Sequence, residues 1–150
     1  MTTVIADYRL GVIVADSNIS DGDRTWSGRK VFRVRDSLIG YAGYVEDSIA
    51  FLAWFKRGCP EDDKPKLTRF DALVLNEHGL FKYYQDLVLP LPVEGGRDAI
   101  GSGAKAAMSA YEALAWKDPK RAVQIVCRHD SNSRAPVRIY HLKPHGKTAR

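Results

Sequence analysis

Met1-Thr2-Thr3-Val4-Ile5-Ala6-Asp7-Tyr8 opens the chain. Val4, Ile5 and Tyr8 favour extended backbone, so residues 3–8 read as a β-strand with almost nothing in front of it. Thr2 stands directly behind the methionine. Once Met1 is removed, Thr2 carries a hydroxyl and a free α-amine, a nucleophile and a general base on one residue. Threonine is small enough for a methionine aminopeptidase to act on the residue before it. Such a site still needs a cation, an acid to hold it, an oxyanion donor and groups to fix the amine, all drawn from elsewhere in the chain.

Working outward, Arg9-Leu10-Gly11 reads as a tight turn, and Val12-Ile13-Val14-Ala15 as a strand covered on both faces. The two strands form an antiparallel hairpin that closes at Asp16-Ser17. Ser20-Asp21-Gly22-Asp23 has loop chemistry. Lys30 to Arg35 alternate with period two, Asp36-Ser37 turns, and Leu38 to Ala42 form the return strand. From Val45 the apolar residues Ile49, Leu52, Ala53 and Phe55 recur at helical spacing with Trp54 alongside, so 45–57 is a helix able to pack on a sheet or to supply a subunit contact. Gly58, Pro60 and Pro65 mark an exposed connection. Residues 71–75 and 80–84 are strands around the turn Asn76-Glu77-His78-Gly79. Residues 87–97 wander, and Ala99-Ile100 is a short strand. Gly101-Ser102-Gly103 opens a helix running to about Trp116. Asp118-Pro119 combines a cap with a proline at the first helical position and starts another helix. A loop over 130–136 leads to a closing strand over 137–142. Strands and helices fall in separate blocks, which indicates an α+β fold with mainly antiparallel sheet.

The 150 residues fit one domain, 1–150, with a basic tail over 143–150 read as flexible. No apolar run approaches the roughly 20 residues that span a bilayer, and the N-terminus lacks signal-peptide layout, so a cytoplasmic protein without a membrane partner is expected. The net charge is +5, yet there is no basic recognition helix and no aromatic-basic interleaving, which disfavours a nucleic-acid partner. Cys59 and Cys127 match no zinc spacing and are expected as reduced thiols, Cys127 as a small buried hydrophobe. His78, His129, His141 and His145 fit no metal pattern. Gly101-Ser102-Gly103 lacks the third glycine of a dinucleotide fingerprint. No cofactor is called for.

Thr2-Thr3, then Gly11 to Ser17, Arg29-Lys30-Val31, Ala42-Gly43, Asp47, Gly101-Ser102-Gly103 and Asp130-Ser131-Asn132-Ser133 together resemble the proteasome β-subunit family. That family includes the peptidase subunit of the bacterial ATP-dependent two-component protease and its short bacterial and phage relatives. Each piece alone is common; the order and spacing over nearly the whole chain carry the resemblance. It implies the N-terminal nucleophile hydrolase fold, a four-layer αββα sandwich of two stacked antiparallel sheets with helices outside.

The resemblance also implies roles. Thr2 matches the nucleophile and Lys30 the cation that favours its alkoxide. Asp16 matches the acid that holds Lys30, and Gly43 the residue whose backbone N–H meets the oxyanion. Ser102, Asp130 and Ser133 match the groups that hold the amine and its relay water. In isolation each has a plainer reading: Asp16 as a hairpin end, Lys30 as a solvated strand charge, Ser102 as a helix N-cap, Asp130 and Ser133 as loop residues. Tyr44 departs from the small residue that usually follows the oxyanion glycine, and its ring either narrows the groove or enters the helix interface. The implied function is a threonine peptidase acting on peptide or unfolded protein within a homo-oligomeric ring, with room for an ATPase unfoldase partner. The alternative is a catalytically inactive ring-forming scaffold.

Overall fold

The computed structural model describes residues 2–86 and 89–143. The proposed tail from Pro144 onward and Met1 lie outside them. In chain order the strands are β1 (Val4–Asp7), β2 (Val12–Ala15), β3 (Asn18–Asp21), β4 (Arg24–Ser27), β5 (Val31–Val34) and β6 (Ser37–Gly43). Helix α1 (Val45–Lys56) follows, then β7 (Phe70–Asn76), β8 (Gly79–Tyr84), β9 (Leu91–Pro92) and β10 (Arg97–Ile100). Helices α2 (Ala104–Ala113) and α3 (Pro119–His129) precede the last strand, β11 (Arg138–His141).

Two antiparallel sheets dominate. One has the order β10-β1-β2-β11, the other β5-β6-β7-β8-β9. Their facing sides bury Val4, Ala6, Ile13 and Ala15 against Val31, Leu38, Leu73 and Leu75. Alternation along each strand sends the other side chains outward. Ile5, Val12 and Val14 therefore meet Ala107, Tyr111, Ala122, Val123 and Val126 of α2 and α3. On the far side, Ile39, Tyr41, Ala72 and Val74 meet Phe51 and Trp54 of α1. The result is the expected αββα sandwich. Gly40 lets the sheets approach: a Cβ there would stand 2.8 Å from Cγ1 of Val4 and 3.2 Å from Cγ2 of Ile13.

Three details differ from the sequence reading. Residues 20–23, read as loop, lie within the hairpin β3–β4, with Asn18 opposite Ser27 and Asp21 opposite Arg24. All four residues of β4 are exposed, so no buried alternation marks it. Helix α1 turns Phe51 and Trp54 inward and leaves Ile49 64% exposed. Phe51 sits 4.8 Å from Phe70 and 5.2 Å from Tyr83, ring centre to ring centre, and this aromatic cluster sets the phase of the helix. Trp54 is thus part of the chain's own core and not a subunit contact. Helix α2 ends at Ala113, short of Trp116, because Ala115 and Trp116 take left-handed backbone, φ 56° and 58°. The Asp118 cap holds as read, its carboxylate accepting from the Arg121 N–H at 2.9 Å.

Candidate active site

Thr2 and Thr3 lead into β1, Asp16 follows the last residue of β2, and Lys30 precedes the first residue of β5. Three strand ends on two stacked sheets therefore meet at one edge of the sandwich. The meeting is tight: Thr2 is 5% exposed, and Asp16 and Lys30 are each 2% exposed. The Lys30 ammonium donates to the Thr2 hydroxyl at 2.8 Å and to Oδ1 of Asp16 at 2.9 Å. Burial pulls the Lys30 pKa below its ordinary range, and the Asp16 carboxylate opposes that pull.

Asp16 is held on both oxygens. Oδ1 also accepts from the Thr3 N–H at 2.9 Å. Oδ2 accepts from the Asn18 N–H and the Arg134 N–H, each at 3.1 Å. A buried carboxylate with four donors is a rigid anchor for the lysine. Lys30 is therefore not a solvated charge, and Asp16 both ends the hairpin and anchors the lysine.

Successive strand residues point to opposite sides, so Thr2 and Thr3 diverge. Thr2 turns to Lys30. Thr3 turns to the loop after α3, where its hydroxyl lies 2.7 Å from the Ser133 hydroxyl. Ser133 donates onward to Oδ2 of Asp130 at 2.9 Å, so the proton order runs from Thr3 through Ser133 to Asp130. Oδ1 of Asp130 accepts from the Asn132 N–H at 3.0 Å. Asp130 and Ser133 thus brace the residue beside Thr2 through bonds to Thr3 and within their own loop.

Ser102 lines the open cavity with Thr2, Gly43 and Gly101. It does not cap α2, whose N-cap is Gly103 with no side-chain bond. Gly101 is required: at φ 95° its missing Cβ would stand 1.9 Å from the Thr2 carbonyl oxygen. Gly43 likewise has φ 121°, and a Cβ there would fall 2.0 Å from the Arg69 carbonyl oxygen. That carbonyl accepts from the Tyr44 N–H at 2.9 Å. The segment carrying it is fixed by Asp47, whose Oδ2 accepts from the Thr68 and Arg69 N–H groups at 3.0 and 2.7 Å.

Two adjoining hollows open at Thr2. One, of about 410 Å³, runs past Gly43, Arg69 and Ser102. The other, of about 710 Å³, runs between the β3–β4 hairpin and the start of α1. Tyr44 lines both, and it is half exposed. Of the two alternatives for its ring, the groove is the one realised. Cys127 is half-buried on the helix side of the core. Burial and then the Asp16 charge push its thiol pKa up to about 11, which leaves it a poor nucleophile at neutral pH.

The structure brings Thr2, Asp16 and Lys30 into direct contact, places Gly43 and Ser102 on the cavity wall with Thr2, and sets Asp130 and Ser133 behind Thr3. Sequence reasoning gave no site role to Thr3, Asn18 or Gly101, although Thr3 and Gly101 stood within its motifs. Signals existed for the first two: the tandem threonines must face opposite ways, and Asp16-Ser17-Asn18 has the spacing of an Asx turn.

No family model and no curated protein matches the chain. Solved structures do. Eukaryotic HslV from Trypanosoma brucei superposes with a TM-score of 0.70 at 23% identity, covering 93% of this chain and 98% of that one. BPH from Thiobacillus denitrificans gives 0.66 at 19% identity, covering 96% and 100%. An Anbu variant from Hyphomicrobium sp. strain MC1 gives 0.65 at 15% identity, covering 94% and 82%. At these identities the likeness speaks for the fold alone: the chain shares its αββα sandwich with these structures.

Proposed function

We propose that the chain is an N-terminal threonine peptidase that works after loss of Met1. The observation that carries this reading is the 2.8 Å bond from the buried Lys30 ammonium to the Thr2 hydroxyl, with Asp16 fixing the lysine from behind. A threonine hydroxyl does not ionise at neutral pH unaided; a cation 2.8 Å away stabilises the alkoxide as it forms. The freed α-amine, with an ordinary pKa of about 7.7–8.0, is neutral often enough to take the proton.

The Thr2 oxygen then attacks the peptide carbonyl, and the Gly43 N–H receives the developing oxyanion. The protonated amine hands its proton to the leaving nitrogen, and an ester joins the acyl group to Thr2. Water, deprotonated by the amine, hydrolyses the ester and restores the hydroxyl. Ser102, Asp130 and Ser133 hold the amine and the water in place, the last two acting through the strand they brace at Thr3. The domain operates in an oligomeric ring that encloses these sites, and packing of that kind covers exposed apolar groups such as Ile49 and Leu91.

The test has two parts. Mass spectrometry of the purified protein is expected to find Thr2 at the N-terminus. Thr2→Ala and Lys30→Ala are each expected to lower hydrolysis of a fluorogenic peptide by at least about a hundredfold, a loss of ~3 kcal/mol in transition-state stabilisation. Retained turnover in Thr2→Ala refutes the assigned nucleophile, and an intact Met1 on an active enzyme refutes the amine as base.

A further inference from the structure

We infer that the larger hollow beside Thr2 takes a basic side chain, Lys or Arg, from the substrate residue whose carbonyl is attacked; this rests on the peptidase reading above. Three features of the wall point the same way. Asp21, at the end of β3, and Glu46, in the first turn of α1, both line this hollow. They come from two separate elements, both are exposed, and neither has an ion pair among the described residues. Lys30 lines it too, but its ammonium lies 2.9 Å from Asp16. In a chain of net charge +5, this hollow thus presents an anionic face.

The second feature is independent of charge. Asn18 lines the same hollow and is 4% exposed. Its Nδ2 donates to the Asn132 carbonyl at 3.0 Å, while its buried Oδ1 has no hydrogen-bond partner among the described residues. A buried carbonyl oxygen without a donor is costly, and an ammonium or guanidinium supplies N–H donors without bringing an acceptor of its own. The third feature is the aromatic part of the wall, Trp26, Tyr41 and Tyr44. Aromatic faces pack the methylene stem of a Lys or Arg and attract its cation. The positive end of α1 would favour an anion, but Glu46 and Asp47 already occupy its first turn.

Three fluorogenic peptides, alike except for Arg, Leu or Glu before the cleaved bond, test this on the N-terminally processed protein. The expected order of kcat/KM is Arg, then Leu, then Glu, with the Arg advantage shrinking as salt is raised. Each acid at the rim accounts for up to about fivefold, so the double variant Asp21→Asn, Glu46→Gln lowers the Arg-to-Leu ratio severalfold, to a limit of about 25-fold. Glu46→Lys shifts preference towards the Glu peptide. Turnover without an Arg preference, or a ratio untouched in these variants, overturns the basic-residue reading alone. No turnover of any of the three peptides overturns the peptidase reading and this one with it.

Discussion

Asp16 is the residue on which the site turns. Its carboxylate accepts from the Lys30 ammonium and from three backbone N–H groups, those of Thr3, Asn18 and Arg134. Asp16→Ala would strand a buried cation and three donors together. The expected loss is ~3–5 kcal/mol of folding stability, measured by urea unfolding, and catalytic loss with it. A variant as stable as the parent would show that these bonds contribute little. Gly43→Ala tests the backbone in the same region. With φ 121° and a carbonyl oxygen 2.0 Å from the new Cβ, the end of β6 must move. Much of this residue-level detail was legible. Asp16, Lys30 and Thr2 were named from motif order, and they touch. The bracing of Thr3 by Ser133 was not, because sequence spacing gives order along the chain but not which of two adjacent hydroxyls a distant loop will meet.

Among the elements, α1 and the β3–β4 hairpin teach the most. The helix carries apolar residues around much of its circumference, so periodicity alone allowed Ile49, Leu52 and Phe55 to be its inner face. The sheet selects Phe51 and Trp54 because Phe70 and Tyr83 offer a ring cluster at 4.8 and 5.2 Å from Phe51. Phe51→Ala is expected to cost ~3–5 kcal/mol by thermal or urea unfolding, whereas Ile49→Ala, at 64% exposure, should change monomer stability by less than ~0.5 kcal/mol. The hairpin escaped notice for the opposite reason. β4 buries none of its residues, so the pattern that betrays a half-buried strand is missing. What remained legible was Gly22, whose φ of 56° turns the hairpin.

At the scale of the whole molecule, both outer layers bury tyrosines whose hydroxyls ionise late. Tyr83, under α1, has its pKa pushed up to about 12 by burial and then by Cys59. Tyr111, on the inner face of α2, is raised by burial and by its 2.5 Å hydrogen bond to Asp7. A raised folded-state pKa means that the folded protein holds the proton longer. The stability each contributes is complete below the ordinary value of 10.0 and is lost as pH rises towards the folded one. The two tyrosines should therefore lower the unfolding midpoint above about pH 10, adding to a loss that the raised Cys127 thiol starts above its ordinary value of 9.0. Tyr111→Phe should be destabilised at every pH, since Asp7 loses a buried donor, and should show a shallower alkaline fall. The layered αββα plan itself was legible, because the strand and helix blocks and the motif order both pointed to it. The Gly101 contact described above has a further consequence, one of timing. Folding wedges the Thr2 carbonyl against Gly101 and leaves Thr2 5% exposed. An aminopeptidase must draw an extended N-terminus into its own cleft. If the proposed peptidase matures by loss of Met1, trimming has to precede closure of the sandwich. Unprocessed protein, folded first and then offered a methionine aminopeptidase, should be trimmed far more slowly than the same chain in urea-unfolded form.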